Sequence, residues 1–472
     1  MATPRQPTTS TPPWQGRFAL LLGLTLGLAI WKFGNPVILD SQFTPPENVA
    51  DAWSQPWPPR WAIWTLLPTA LFCVWLAASG RCRWQSAAAL WMLPAGWLAW
   101  ELVAAGRTVD DTLTTLALTQ FAGCLICFFA GVWGVVGEKG LQLLLAGILA
   151  AFAFCLVRAA NQRLFEYPQD RLALLEGERT GWTNFAPEAL AQMRRDRFLI
   201  LTNGVERVDP VIMKKYEKGR VSGTLIYPNG LAGAVLLLFP AAFSLAWHNT
   251  RRLRPPIRAA VIGLTLFLGC GALFWSGSKS GWLIALGVAG LAGLRLDWPA
   301  RWKWAALALA VAAGLGVFGW RFHRYFAAGA TSVGARFDYW RAAVANTREH
   351  PWVGSGPGTF QRPYSRLKRP ESEMARLAHN DYLEQFTDSG VPGGLLYLAW
   401  IAGLLAALAK RVWRGTDPLR LALFLGVAAW FAQGVSEFSL YIPALAWTAF
   451  ALAGSLLHQP TDLAPVPSPP TG

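Results

Sequence analysis

Stretches of about twenty mostly apolar residues recur along the whole chain, and no other feature limits its fold as tightly. A helix rises about 1.5 Å per residue, so roughly 20 residues cross a hydrocarbon layer about 30 Å thick. Spans are expected at about 18–38, 61–79, 84–104, 113–136, 141–159, 226–247, 258–276, 281–296, 304–320, 391–409, 420–436 and 440–457. Backbone N–H and C=O groups find no water inside lipid, so each span must be helical unless strands close into a barrel. The reading is an all-α polytopic membrane protein with about 12 transmembrane helices. Composition agrees, since 53% of the 472 residues are hydrophobic and only 15% are charged, a balance foreign to a water-facing enzyme.

The short loops set the expected orientation, because Lys and Arg collect on the cytoplasmic side. With the N-terminus inside, the inner segments hold Arg5, Arg17, Arg81, Arg83, Lys139, Arg251, Arg252, Arg254, Arg258, Arg295, Arg301, Lys303, Lys410, Arg411, Arg414 and Arg420. The short outer loops hold only Arg60, Arg107 and Lys279. Both ends are therefore expected inside, and the net charge of +15 is in part this topology signal and not a nucleic-acid surface. The first apolar run lacks a small-residue cleavage site and reads as an uncleaved anchor. The chain then divides into a tail (1–17), five spans (18–159), a long outer loop (160–225), four spans (226–320), a second long outer loop (321–390), three spans (391–457) and a Pro-rich, disordered inner tail (458–472). The six cysteines fall in or at the inner edge of spans, which argues against a disulfide framework.

Long loops in compact proteins usually carry function, and both outer loops mix charge with aromatics and glycine. The second contains His379-Asn380-Asp381-Tyr382-Leu383-Glu384 and runs through Ser389 into Gly390-Val391-Pro392-Gly393 as a span begins. An imidazole at the membrane surface accepts a proton near neutral pH, although a loop-capping histidine is the plainer alternative. Upstream, Arg336 and Trp340 precede the glycine-rich stretch Gly354-Ser355-Gly356-Pro357-Gly358, read as a shaping turn because no strand-to-helix context supports a phosphate loop. Arg336 has Asp338 and Glu349 as plausible surface partners. The first loop ends in Arg220-Val221-Ser222-Gly223-Thr224, with Asn229 soon after as an expected helix N-cap. Arg220 either snorkels to lipid phosphates or serves a substrate diphosphate. Lys279, in the turn Ser276–Gly281, adds a third cation at the same level. No acidic cluster with Mg-type spacing stands in the outer loops, so no metal or other cofactor is expected.

These elements resemble the O-antigen ligase and O-antigen polymerase superfamily, which includes bacterial protein O-oligosaccharyltransferases. The resemblance rests on the twelve-span pattern, the Arg-x-x-Gly-Thr motif at Arg220, the Arg336/Trp340 element, and His379-Asn380 followed after nine residues by Gly390-x-x-Gly393. It implies a GT-C-like fold with two large periplasmic loops, in a multi-pass protein of the bacterial inner membrane. The implied activity is metal-independent transfer of a glycan from undecaprenyl diphosphate to lipid A-core, a growing glycan or a protein, with the active site facing the periplasm. By the same resemblance His379 is the catalytic histidine and Arg220 and Arg336 engage the diphosphate. Lys279, Trp340, Asn380 and Glu384 are expected to contact substrate. Lys279 replaces the family's usual arginine, keeping the charge and losing the bidentate fork. The rival from another class, a transporter of lipid-linked glycan, calls for ionisable residues near the bilayer midplane. Lys32, Glu101, Arg158 and Glu437 all fall near span ends.

Overall fold

The computed structural model describes residues 13–79, 89–195, 197–202, 204–327 and 331–457. The expected disordered tail 458–472, most of the tail 1–17, and the first residues of the third expected span lie outside the described residues.

The described chain is almost wholly helical. Helices α1 (Pro13–Lys32), α2 (Val49–Ser54), α3 (Ala62–Thr65), α4 (Leu67–Ala78), α5 (Ala89–Ala105), α6 (Asp111–Gly134) and α7 (Gly137–Asn161) form the first part. A π-helical turn, Gln162–Glu166, then leads without a break into α8 (Tyr167–Thr180). A small unit follows, built from α9 (Pro187–Arg195), an antiparallel hairpin of β1 (Leu199–Thr202) and β2 (Val205–Val208), and α10 (Pro210–Lys218). Leu174, Trp182, Leu199 and Val208 give this unit a core of its own. Next come α11 (Pro228–Asn249), α12 (Pro255–Ser276), α13 (Lys279–Gly293), α14 (Ala300–Ala327), α15 (Thr331–Glu349) and α16 (Gln361–Leu367). The chain closes with α17 (Asp381–Val412), α18 (Pro418–Gln433) and α19 (Pro443–Leu457).

Among the described residues, eight helical segments are long and apolar enough to cross a membrane, and four shorter apolar helices accompany them. Every expected span coincides with one of these. Several boundaries differ from expectation: α14 runs seven residues past 320, and α17 begins ten residues before 391. The first helix stops at Lys32, before Asn35-Pro36, because proline disfavours the helical conformation in its predecessor. The fifth continues 19 residues past Asn161, so the first long loop begins as a helix.

Helices in lipid gain no hydrophobic free energy by meeting, so close backbone approach at small residues must hold them together. A Cβ added at Gly23 of α1 would stand 2.4 Å from the Leu144 carbonyl of α7, and one at Gly426 of α18 would stand 2.1 Å from the Leu237 carbonyl of α11. Helices α6 and α11 are consequently central, with 61% of their apolar windows buried, whereas α12 and α14 are peripheral, with 11% and 6%.

Candidate functional site

The site is assembled at one end of the bundle, where α15, the start of α17, the segment before α11 and the loop between α18 and α19 meet. Its foundation is the glycine-rich stretch, which is a shaping turn as its composition predicts. Gly354, Gly356 and Gly358 have φ values of 61°, 102° and 72°, open to residues without a side chain. The turn locks onto α17: the amides of Ser355 and Gly356 donate to the Thr387 and Asp388 carbonyls, and the Gly358 amide donates to Asp388 Oδ2 at 2.7 Å. Gly390, with φ 72° and ψ −172°, kinks α17, and the Val391 amide freed there donates to the Pro351 carbonyl at 2.7 Å.

His379 sits just before α17 with φ 53°, a left-handed conformation costly for a residue with a Cβ. It is clamped from both sides. Behind it, the Ala378 amide donates to Oε2 of Glu384, and ahead of it Asn380 Oδ1 accepts the amides of Tyr382 and Leu383 as the N-cap of α17. The expected substrate contacts Glu384 and Asn380 therefore hold the histidine loop. Glu384 is fully buried beneath it. The imidazole stacks on Tyr339 of α15, with ring centroids 5.6 Å apart, and meets Phe438 edge-on at 4.7 Å. Burial and a hydrogen bond to Glu373 raise the Tyr339 phenol above its ordinary value, so the ring is a neutral platform.

The centre of the arrangement is Glu437, in the loop between α18 and α19. Its side chain is 2% exposed and accepts Arg336 Nη2 at 2.6 Å and Asn229 Nδ2 at 2.7 Å through Oε1. Oε2 faces His379 Nδ1 at 3.7 Å, beyond hydrogen-bond length, and neither atom has another partner. Asp381 fixes this loop: its amide donates to the carbonyls of Gly434 and Glu437, and its carboxylate accepts the Leu440 amide at 3.2 Å.

Arg220 joins through Asn229, whose Oδ1 accepts Arg220 Nη2 at 2.7 Å, while Arg220 Nε donates to the Ser276 carbonyl at 2.7 Å. Burial lowers the affinity of the Arg220 guanidinium for its proton, but such a group remains charged. Asn229 is thus no N-cap. It lies inside the first turn of α11, where Tyr227 is the capping residue, and its amide links Arg220 to Glu437. Arg336 likewise leaves its expected partners: Asp338 pairs with Arg341 and Arg369, and Glu349 with Arg366.

Lys279 opens α13, behind the cap Ser278, with Nζ 3.8 Å from the centroid of Tyr325. It lies within electrostatic reach of Arg220, Arg336, Lys218 and Arg321. Trp340 is directed elsewhere. It packs against Phe337 and the cluster around Tyr339, Phe360 and Tyr364, and its Nε1 is buried without a partner.

Two members of this constellation, Glu437 and Arg321, escape the sequence reading. Glu437 stands about fifty residues beyond the histidine motif, and its only sequence signal is a carboxylate beside an apolar span. Arg321 closes an apolar helix, stacked on Phe274 and Phe322, and passes for an interfacial anchor.

The chain from 264 to 398 matches the family model described as O-antigen ligase. This segment is similar to O-antigen ligases. It holds Lys279, Arg321, Arg336, Trp340, His379, Asn380 and Glu384, whereas Arg220 precedes it and Glu437 follows it. The match implies a glycosyltransferase-like enzyme of the ligase and polymerase group, in a multi-pass membrane protein. No curated protein matches the chain significantly.

Proposed function

We propose that the protein transfers a glycan from undecaprenyl diphosphate to an acceptor at the periplasmic face of the inner membrane, without a metal. The observation that carries this reading is the meeting of His379 and Arg336 at one buried carboxylate, with Arg220 joined to the same carboxylate through Asn229. An imidazole beside several cations at a membrane surface suits the transfer of a group away from a lipid diphosphate.

The chemistry follows from the atoms. The acceptor hydroxyl oxygen attacks the anomeric carbon, its proton passes to His379, and the bond from that carbon to the diphosphate oxygen breaks with the electron pair leaving on the diphosphate. Glu437 faces Nδ1, so an Nδ1–H tautomer directs the Nε2 lone pair away from the carboxylate toward the acceptor. A modest closure on substrate binding brings Nδ1–H to hydrogen-bond length, since catalytic contacts are often long in an empty site. The arginines and Lys279 stabilise the charge gathering on the departing oxygens, and each charge-assisted hydrogen bond contributes about 1.5–3 kcal/mol.

Lipid A-core, a growing glycan chain and a protein side chain all satisfy this chemistry as acceptors, because each presents a hydroxyl. Purified protein in proteoliposomes, given a radiolabelled polyprenyl-diphosphate glycan and each acceptor in turn, tests the proposal. Label moving onto one acceptor with release of polyprenyl diphosphate supports it. Label that crosses the bilayer still attached to its lipid refutes it in favour of a transporter.

A further inference from the structure

Tyr227, the capping residue before α11, stands inside the constellation and has no part in the chemistry above. Its ring stacks on Phe438 with centroids 5.2 Å apart and meets the His379 imidazole edge-on at 6.3 Å. The hydroxyl oxygen accepts Asn229 Nδ2 at 2.9 Å, and the same amide nitrogen donates to Glu437 Oε1 at 2.7 Å. Both hydrogens of that amide are therefore in use. The phenolic hydrogen is not: among the described residues, the Tyr227 hydroxyl has no acceptor within hydrogen-bond distance. A phenol loses its proton only near pH 10, so the group is a neutral donor at neutral pH.

The position of this unused donor decides what it can serve. Arg220 Nη2 is held by Oδ1 of the same Asn229, and Arg336 Nη2 by the same oxygen of Glu437, so the hydroxyl is joined through one or two side chains to each guanidinium. It also lies within electrostatic reach of both. In the transfer, the attacked carbon must lie between the acceptor, which His379 serves, and the departing diphosphate, which the arginines serve. Tyr227 has its ring against the imidazole and its hydroxyl in the arginine network. It therefore borders the place where the bond breaks.

We infer that the Tyr227 hydroxyl donates its hydrogen bond to the diphosphate oxygen that leaves the anomeric carbon, an inference that rests on the function proposed above. The electron pair of the broken bond settles on that oxygen, and the phenolic hydrogen stays on Tyr227 while it is shared, so no further reactant is needed. In the intact donor this oxygen is bonded to carbon and carries little charge, whereas in the transition state it gathers charge, and a hydrogen bond to it strengthens accordingly. The cations act differently, because they meet charges that the diphosphate carries from the start. The effect of Tyr227 therefore falls on the rate of the bound donor more than on its binding.

The test is Tyr227→Phe, which removes the hydroxyl and keeps the ring, measured by single-turnover transfer in proteoliposomes with two donors. One is a polyprenyl-diphosphate glycan, and the other carries a methylene in place of the oxygen between its two phosphorus atoms, which makes the departing oxygen more basic. With the first donor at saturation, Tyr227→Phe is expected to be about ten- to hundredfold slower than wild type. With the methylene donor the loss is expected to be several-fold larger, because a more basic leaving oxygen depends more on its hydrogen-bond donor. A wild-type rate, or the same loss with both donors, overturns the inference and leaves the hydroxyl with the task of orienting Asn229. A second measurement keeps both ring and hydroxyl: 3-fluorotyrosine in place of Tyr227 is a stronger donor and should narrow the rate difference between the two donors, and an unchanged difference also overturns the inference. Absence of transfer by the wild type defeats the proposed function and this role with it, whereas wild-type transfer with equal losses defeats the role of Tyr227 alone.

Discussion

Replacing Glu437 by glutamine removes one charge and almost no volume, and its effect follows from the contacts. The carboxylate accepts from Arg336 and Asn229 and faces His379. A glutamine keeps one carbonyl oxygen as acceptor and presents an amide to the remaining donors. The carbonyl oxygen can keep Arg336 and Asn229, but the charge-assisted bond that Oε2 forms with His379 Nδ1–H on closure is lost, about 1.5–3 kcal/mol, which is about ten- to hundredfold in rate if the interaction is fully expressed in the transition state. The loop itself should survive, because Asp381 holds it through backbone groups that the substitution does not touch. The assay is kcat/KM for glycan transfer in proteoliposomes, with thermal unfolding measured in parallel. The expected result is a ten- to hundredfold loss in kcat/KM with Tm nearly unchanged. Wild-type kcat/KM refutes the claim that Glu437 organises the site, and a collapse of Tm shows that its role is structural.

Three further perturbations have defined outcomes. Arg336→Lys preserves charge but loses the planar fork, so kcat/KM for the lipid-diphosphate donor should fall about tenfold or more, and an unchanged value shows that the guanidinium geometry plays no part in binding the diphosphate. Gly390→Ala forces a Cβ to within 2.4 Å of the Trp352 backbone at a φ of 72°, so Tm in detergent should drop, with about 1–3 kcal/mol from backbone strain alone, and an unchanged Tm contradicts the tight kink. Asn380→Ala removes the cap of α17, worth about 1 kcal/mol, and should lower kcat more than it raises KM, with Asn380→Asp restoring activity because aspartate caps equally well.

The spans were legible because lipid leaves the backbone one economical solution, and hydropathy alone reports it. The shaping turn was legible for a similar local reason, since clustered glycines favour a tight turn. Glu437 and Arg321 were not, because the buried Glu437–Arg336 ion pair and the approach of Arg321 to Arg220 depend on which remote segments share one end of the bundle. Asn229 shows the converse: a residue that locally suits an N-cap lies two positions past the cap, held by two longer-range hydrogen bonds, to Arg220 and Glu437. Glu384 and Asn380 stood next to the histidine in sequence and were expected to meet substrate, yet backbone amides take Oε2 of Glu384 and Oδ1 of Asn380.

The most direct test is single-turnover transfer by His379→Ala at saturating donor, with donor binding followed separately by a label on the tail. Binding should persist through the cations while transfer falls by about two to four orders of magnitude, the range ascribed to a lost general base. Transfer at the wild-type rate, with the donor bound, would mean that the proton of the acceptor goes elsewhere and that the imidazole only shapes its loop.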